Sequence, residues 1–280
     1  MSNIKATIII LDYLKGARVV ENVKSILGQN LDFAIKIIVI DNSCDEKNAA
    51  ILRTLANLPD VSVRINKKNL GYVKAHNSVK ADVEGEYVMI VNPDIIWHDR
   101  GSIKKMIDYM DRNKDIGIIG PKQINETDGR PAMTMRAFPK FYLQVFRRTF
   151  FRNFPILKNK INFDEMRHLD YESIQDIDWL QSSCVMVRRQ LWEKVGGLCE
   201  SYFLFMSDVE LCFRSWQNGL RVVYFPLSVV YADGKRASAG GFKKFFKSWV
   251  LRQHVVDSLK YRAKHFFEGN PREKFYGNIK

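Results

Sequence analysis

Two carboxylates in this 280-residue chain stand where chemistry is possible. Asp94 ends the run Tyr87-Val88-Met89-Ile90-Val91-Asn92-Pro93-Asp94, and Asp208 lies in Phe203-Leu204-Phe205-Met206-Ser207-Asp208-Val209-Glu210. The first run reads as a buried strand. Pro93 stops it, because proline donates nothing to a sheet ladder, and Asn92 and Asp94 can then turn outward at the carboxyl edge where open α/β sheets bind ligands. A carboxylate there can hold a divalent cation bridging two phosphates, and an ordinary Asn-Pro turn is the alternative. The second run breaks into a helix that Gly219 ends. Ser207 and Glu210 have the spacing of a capping box, and Asp208 falls in the first turn, where the macrodipole favours a carboxylate with or without chemistry. Facing the same edge as Asp94, an ionised Asp208 can take a proton from a substrate hydroxyl. One carboxylate for a metal and one for a base suit transfer from a phosphate leaving group.

The elements that must position these groups alternate along the chain. Residues 6–11 are a β-branched run, and Val19, Val20, Val23, Ile26 and Leu27 follow at helical spacing. Residues 35–40 repeat the pattern and release Asp41-Asn42-Ser43, with a return helix over 45–56. A third strand, 61–65, leads through Asn66-Lys67-Lys68-Asn69-Leu70-Gly71-Tyr72 to a helix through 77–83 and then to the strand before Asn92. An amphipathic helix over 99–112 and a short strand over 116–120 come next. This alternation predicts a doubly wound, mostly parallel α/β sheet. Residues 122–178 show no clean period and read as a variable insertion. A strand over 179–187, a helix over 189–195 and a turn at Gly196-Gly197 then precede Phe203. The glycines form neither G-x-G-x-x-G nor a P-loop, which weakens dinucleotide oxidoreductase and phosphate-cradle NTPase readings.

Composition bounds the rest. With 46% hydrophobic residues the chain can bury one sizeable core. Cys44, Cys184, Cys199 and Cys212 have no metal-like spacing and the N-terminus lacks a signal peptide's apolar core, so a reducing cytoplasm is expected. No apolar run approaches the roughly 20 residues that span a bilayer. The net charge of +13 is uneven: residues 235–280 hold twelve Lys or Arg against Asp257, Glu268 and Glu273. Residues 136–160 hold seven and no acid, interleaved with Phe138, Phe141, Tyr142, Phe146, Phe150, Phe151 and Phe154. Such mixtures suit nucleic acid, acidic lipid headgroups or a polyanionic substrate, or form a solvated basic face.

Five segments in register carry a resemblance: Ile8-Ile9-Ile10-Leu11-Asp12-Tyr13, Val39-Ile40-Asp41-Asn42-Ser43, Asn69-x-Gly71 with Asn77, Asn92-Pro93-Asp94, and Ser207-Asp208-Val209-Glu210-Leu211-Cys212-x-Arg214. Over about residues 6–235 the chain resembles a family 2 glycosyltransferase of the GT-A (Rossmann-like) fold. Within that family it is most similar to bacterial rhamnosyltransferases of polysaccharide and O-antigen assembly, whose tails resemble Gly234-x-Arg236-Ala237-Ser238. The resemblance implies inverting transfer of a sugar, with dTDP-L-rhamnose the favoured nucleotide-sugar donor, to a hydroxyl of a lipid-linked or polysaccharide acceptor. It implies Leu11, Asp12, Tyr13 and Asp41 against the nucleoside, and Asn69, Gly71 and Asn77 beside ribose and diphosphate. Asn92 and Asp94 match the metal motif, with Asp94 the direct ligand of Mg2+ or Mn2+. Asp208 matches the general base, and Trp179, Gln181, Ser183 and Glu210 would surround donor sugar and acceptor.

Two positions depart from the family pattern. Ser207 stands where a Glu is usual, so that role is lost or passes to Glu210. Tyr231 stands where many relatives carry His, and tyrosine is a poor ligand for a hard divalent ion, which leaves Asn92, Asp233 or water to complete the metal site.

The expected organisation is a glycosyltransferase domain over residues 1–235 and a basic amphipathic helical tail over 236–280. In the tail Phe242, Phe245, Phe246, Trp249, Val250, Val256, Leu259 and Tyr261 recur at roughly helical spacing among Lys243, Lys244, Lys247, Arg252, Lys260 and Arg262. That pattern fits a helix lying on an anionic membrane, at the inner face of the plasma membrane, or one packed back on the domain. A nucleic-acid-binding module would use the basic, aromatic stretches and leave Asp94 and Asp208 idle, so no nucleic acid partner is expected. A non-catalytic scaffold of the same fold is the remaining alternative.

Overall fold

In the computed structural model, residues 4–139, 154–164, 166–234 and 248–277 are described. Among them ten strands run in chain order: β1 (Ile4–Asp12), β2 (Ala34–Asp41), β3 (Val61–Ile65), β4 (Tyr87–Val91), β5 (Ile116–Asn125), β6 (Met135–Arg136), β7 (Gln175–Asp176), β8 (Trp179–Leu180), β9 (Cys184–Arg188) and β10 (Arg221–Ala232). Eight form one sheet in the order β3-β2-β1-β4-β9-β5-β10-β7, and β6 pairs with β8 apart from it. Strands β1, β2, β3 and β4 are mutually parallel where they pair, as are β5 and β10. The central strands are buried on both faces, which is why they read as continuous apolar runs. Alternate residues of β1 enter different cores: Ile9 joins Ile38, Val88 and Trp216 on one face, and Ile8 and Ile10 join Val39, Met89 and Met106 on the other.

Helices α1 (Gly16–Leu27), α2 (Glu46–Arg53), α3 (Gly71–Asn77), α4 (Ser102–Arg112), α5 (Pro155–Asp164), α6 (Arg189–Val195) and α7 (Ser207–Gln217) connect the strands, and α8 (Trp249–Lys264) and α9 (Pro271–Gly277) follow. Helix α4 buries Ile103, Met106, Ile107 and Met110, a stripe at helical spacing. The Asp45 side chain caps α2 by accepting from the Asn48 amide.

Two elements differ from the sequence expectation. The helix placed over 77–83 is α3, ending at Asn77, with only a 3-10 turn over Lys80–Asp82 beyond it. The strand placed over 179–187 splits: Trp179–Leu180 pairs with β6, and after a loop Cys184–Arg188 enters the main sheet. This β9 runs antiparallel between β4 and β5, Val91 facing Cys184 and Tyr87 facing Arg188. It therefore enters at the carboxyl edge of β4, and the loop before it lies beside Asn92.

The tail packs on the domain from Ser248 onward. Leu251, Asp257, Ser258 and Tyr261 of α8 are buried, and Trp216 of α7 meets Phe275 of α9 edge to face. Of the residues assigned to a lipid face, Tyr261 is thus enclosed beside Phe213, whereas Trp249, Val256 and Leu259 stay nearly half exposed. Phe242, Phe245, Phe246, Lys243, Lys244 and Lys247 lie outside the described residues, as do Phe141, Tyr142, Phe146, Phe150 and Phe151. Among the described residues no helix is long and apolar enough to cross a membrane.

Candidate active site

Parallel strands deliver their ends to one edge. Strands β1 and β2 end in Asp12 and Asp41, β4 in Asn92-Pro93-Asp94, and β10, parallel to β5, leads to Asp233. The Asn92 amide donates to the Ser183 carbonyl at 2.7 Å, and the Asn92 carbonyl accepts from Asn22 Nδ2 at 2.8 Å. Ile96 and Tyr231 exchange backbone hydrogen bonds of 2.8 and 2.9 Å, so the turn carrying Asp94 is tied to β10. Asp94 and Asp233 lie together, 14% and 21% exposed, with Lys15 Nζ 3.7 Å from Asp94 Oδ1 and 3.1 Å from Asp233 Oδ2. Burial pushes the Asp94 carboxyl up, Lys15 opposes this, and Asp233 adds to it.

The pair fits a divalent cation. Two converging carboxylates share the Lys15 ammonium, and Mg2+ commonly uses one or two carboxylates with phosphate oxygens and water completing its shell. Among the described residues no cluster of three or more His, Cys, Asp or Glu suited to a metal occurs. Tyr231 packs its ring edge-on to His98.

Asp208 stands half-buried in the first turn of α7. Its Oδ1 accepts from the Val209 amide at 2.9 Å and its Oδ2 from the Ser182 amide at 3.4 Å. Burial pushes its carboxyl up, against the pull of those amides. The Tyr72 hydroxyl lies 3.1 Å from Ser182 Oγ. Ser182 therefore touches the loop of the one carboxylate while its neighbour Ser183 touches that of the other.

The capping box does not form. Met206, with φ 65°, occupies the N-cap position, and no side chain caps the helix. Glu210 instead turns into an enclosed cluster at 1% exposure, accepting from Arg214 Nε (2.7 Å), Lys264 Nζ (2.6 Å) and the Tyr202 hydroxyl (3.1 Å), with His265 Nε2 at 2.6 Å. Burial alone would raise its carboxyl, but the hydrogen bonds from His265, Lys264 and Arg214 outweigh it and hold the group at about 2. This side chain faces the tail, away from the position the resemblance implied beside the sugar. The attraction of distant cations in a closed space exceeds what a local cap offers.

At the ends of β1 and β2, Asp12 and Asp41 are fully buried. Asp12 accepts from the Lys15 amide (2.9 Å) and Asn48 Nδ2 (2.6 Å). Asp41 Oδ1 accepts from the Ser43 amide and hydroxyl and from Asn48 Nδ2, while Oδ2 has no partner among the described residues. Tyr13 is exposed and Leu11 half-buried against the core. Asn42 ties the next loop down, accepting from the Leu70 amide and donating to Asn69 Oδ1, which in turn accepts from the Gly71 amide. Gly71 has φ +75°, and a Cβ there would meet the Phe203 ring at 2.7 Å, so glycine is required by backbone and by space.

Asn77 is not brought to this edge. Its amide group bonds both the amide (2.9 Å) and the carbonyl (2.8 Å) of Leu198, and it also donates to Glu200. Helix α3 starts at the edge and runs away from it, which carries Asn77 roughly 9 Å down at 1.5 Å per residue. On the far wall Trp179 Nε1 donates to the Ala137 carbonyl, Gln181 is exposed, and Ser183 Oγ donates to Gln123. Lys15 and Asn48 were not singled out from the sequence, and Tyr72 and Ser182 stood out there only as members of the runs 66–72 and 179–183. Of the first two, only Lys15, three residues past Asp12, carried a local signal.

A mostly parallel α/β sheet interrupted by the antiparallel β9 and edged by the antiparallel β7, with carboxylates at its carboxyl edge and another on a helix start beside them, is the GT-A arrangement of glycosyltransferases. Residues 7–195 match the profile of Glycosyl transferase family 2, and the chain belongs to that family. It is similar to the N-acetylglucosaminyl-diphospho-decaprenol L-rhamnosyltransferase of Mycobacterium tuberculosis, 29% identical over 209 residues, 70% of this chain and 66% of that protein. The match thus spans just under two thirds of the mycobacterial relative's length. Rhamnosyltransferase WbbL of Escherichia coli is 26% identical over 265 residues, 90% of this chain and 89% of that protein. Among solved structures, the mannosyltransferase PcManGT from Pyrobaculum calidifontis in complex with GDP-Man and Mn2+ superposes with a TM-score of 0.60 at 16% identity, over 98% of this chain and 69% of that one. A TarS fragment from S. aureus in complex with UDP-GlcNAc gives 0.56 at 18%, over 84% and 60%. Both likenesses are of fold.

Proposed function

We propose that this protein is an inverting glycosyltransferase that moves L-rhamnose from dTDP-L-rhamnose to a hydroxyl of a lipid-linked acceptor. The observation that carries the reading is the shared loop: Ser183 holds the turn of Asp94, and Ser182 bonds Asp208. In this reading one loop links the leaving-group side to the base side. Asp94 and Asp233 would hold Mg2+ or Mn2+, which when bound would neutralise the departing diphosphate. Asp208 takes the acceptor's proton as the acceptor oxygen bonds the anomeric carbon from the face opposite the breaking bond to diphosphate. Its long contact to Ser182 is readily exchanged for a substrate hydroxyl. The partnerless Asp41 Oδ2 is an acceptor for a nucleobase N–H. Rhamnose and a lipid carrier are supported by the relatives' names.

A lipid-linked acceptor also gives the tail a purpose. Trp249, Leu259, Phe266 and Phe267 are 49%, 49%, 57% and 94% exposed, and Arg262 lies over the Phe266 ring. With Arg252 and Lys260 they form a surface suited to an anionic membrane, which would hold enzyme and acceptor in one plane at the cytoplasmic face. The test is incubation with a panel of nucleotide sugars, Mg2+ or Mn2+ and a prenyl-diphosphate-linked sugar acceptor. Transfer from dTDP-rhamnose supports the reading. Binding of a random oligonucleotide with no turnover of any donor would overturn it.

A further inference from the structure

Residues 203–206 lead directly into the helix that carries Asp208, and their backbone is gathered by the tail. The amides of Phe203, Leu204 and Phe205 all donate to the Asp257 carboxylate of α8, at 3.4, 3.1 and 2.9 Å. Asp257 is fully buried and also accepts from Gln253 Nε2 at 2.9 Å, with no ion pair among the described residues. A buried carboxylate without a cation is costly unless several donors converge on it, as successive N–H groups do here. Such a contact fixes the direction of each N–H, which apolar packing cannot do. The next residue, Met206, is held in a left-handed conformation with φ 65° that a non-glycine residue adopts only when its surroundings impose it.

The same tail grips the other flank. Glu210, two residues past Asp208, is held by Lys264, about two helical turns beyond Asp257 on the same face of α8, and by His265 just past the end of that helix. The Asp208 carboxylate accepts from its neighbour's amide and makes a 3.4 Å contact to Ser182. The Phe203 carbonyl meanwhile accepts from the Tyr72 amide at 3.0 Å, which ties this segment to the Gly71 loop.

We infer that Asp257 is a positioning residue for transfer: by gathering the amides of residues 203–205, α8 sets the aim of Asp208, so a tail outside the matched family segment makes the site competent. The inference rests on Asp208 being the base. Its test is a double-mutant cycle on the full chain with Asp257→Asn, Asp208→Asn and both, read as donor KM, single-turnover transfer and unfolding temperature. Asp257→Asn should slow transfer about 10-fold or more at unchanged donor KM, and add little once Asp208→Asn is present, because groups acting as a unit are non-additive. A full further loss in the Asp208→Asn background overturns the inference alone. Normal transfer by Asp208→Asn overturns it together with the assignment of the base. If Asp257→Asn does not fold, Asp257→Glu keeps the buried charge but lengthens the reach by one methylene. It should fold and transfer slowly at unchanged donor KM, and wild-type transfer by this variant refutes positioning.

Discussion

Replacing Glu210 by Gln should destabilise the protein in a pH-dependent way, and the size follows from its surroundings. The carboxyl is held at about 2 against an ordinary 4.5, chiefly because hydrogen bonds from His265, Lys264 and Arg214 outweigh burial. A depressed carboxyl contributes stability that is present above its unfolded pKa and is lost as pH falls through the folded one. At 1.36 kcal/mol per unit the contribution is about 3 kcal/mol near pH 7, vanishing between about pH 4.5 and 2. Little should be recovered by solvation, since Glu210 is 1% exposed, although Arg214 and Lys264 at 34% and 32% can turn to water and soften the loss. Chemical unfolding of both proteins at a series of pH values measures the difference directly. The gap should be about 3 kcal/mol at pH 7, or several degrees in Tm for a chain of this size, and should shrink steadily below pH 4.5. A gap that stays constant with pH, or one below about 0.5 kcal/mol at pH 7, would refute the account of the cluster as a charge-stabilised anchor.

The other expectations concern chemistry and docking. Asp94→Ala should leave the fold intact and cost about 10³ or more in transfer, through loss of a ligand to a diphosphate-bridging cation; undiminished turnover in EDTA would contradict this. Lys15→Ala should strengthen Mn2+ binding in the absence of donor, because an ammonium no longer competes at Asp94 and Asp233, and titration calorimetry showing weaker binding would count against that pair as the metal site. Asp208→Asn should bind donor nearly as the parent does and lose at least about 10² in transfer. In the parent, transfer should rise with pH through a midpoint above the ordinary Asp range, since burial raises this carboxyl and the base acts deprotonated. Changing Trp249, Leu259 and Phe267 together to Ser should spare the fold and weaken binding to acidic liposomes, and equal binding would remove the membrane role. Deleting the tail is a poorer test, because it uncovers Phe213, on which Tyr261 and His265 pack, and strips Glu210 of Lys264 and His265.

The alternation of strands and helices, the doubly wound character of the sheet and the release of Asp41 and Asp94 at its carboxyl edge were legible in the sequence. These are local properties: a strand buried on both faces must be apolar throughout, and the residue that breaks the run is released where the strand stops. What the tertiary structure decided was which polar groups meet. Asp233 joins Asp94 because β10 lies parallel to β5 and bonds the segment at Ile96, and β9 runs antiparallel because its preceding loop is held at the carboxyl edge. Asn77 has a site-like position in a motif, yet the direction of α3 gives its amide to Leu198. Glu210 has the spacing of a cap, yet Lys264 and His265 claim it. Spacing along a helix or strand fixes which face a side chain takes, but the field at a buried carboxylate is set by charges brought near through packing, and those lie anywhere along the chain.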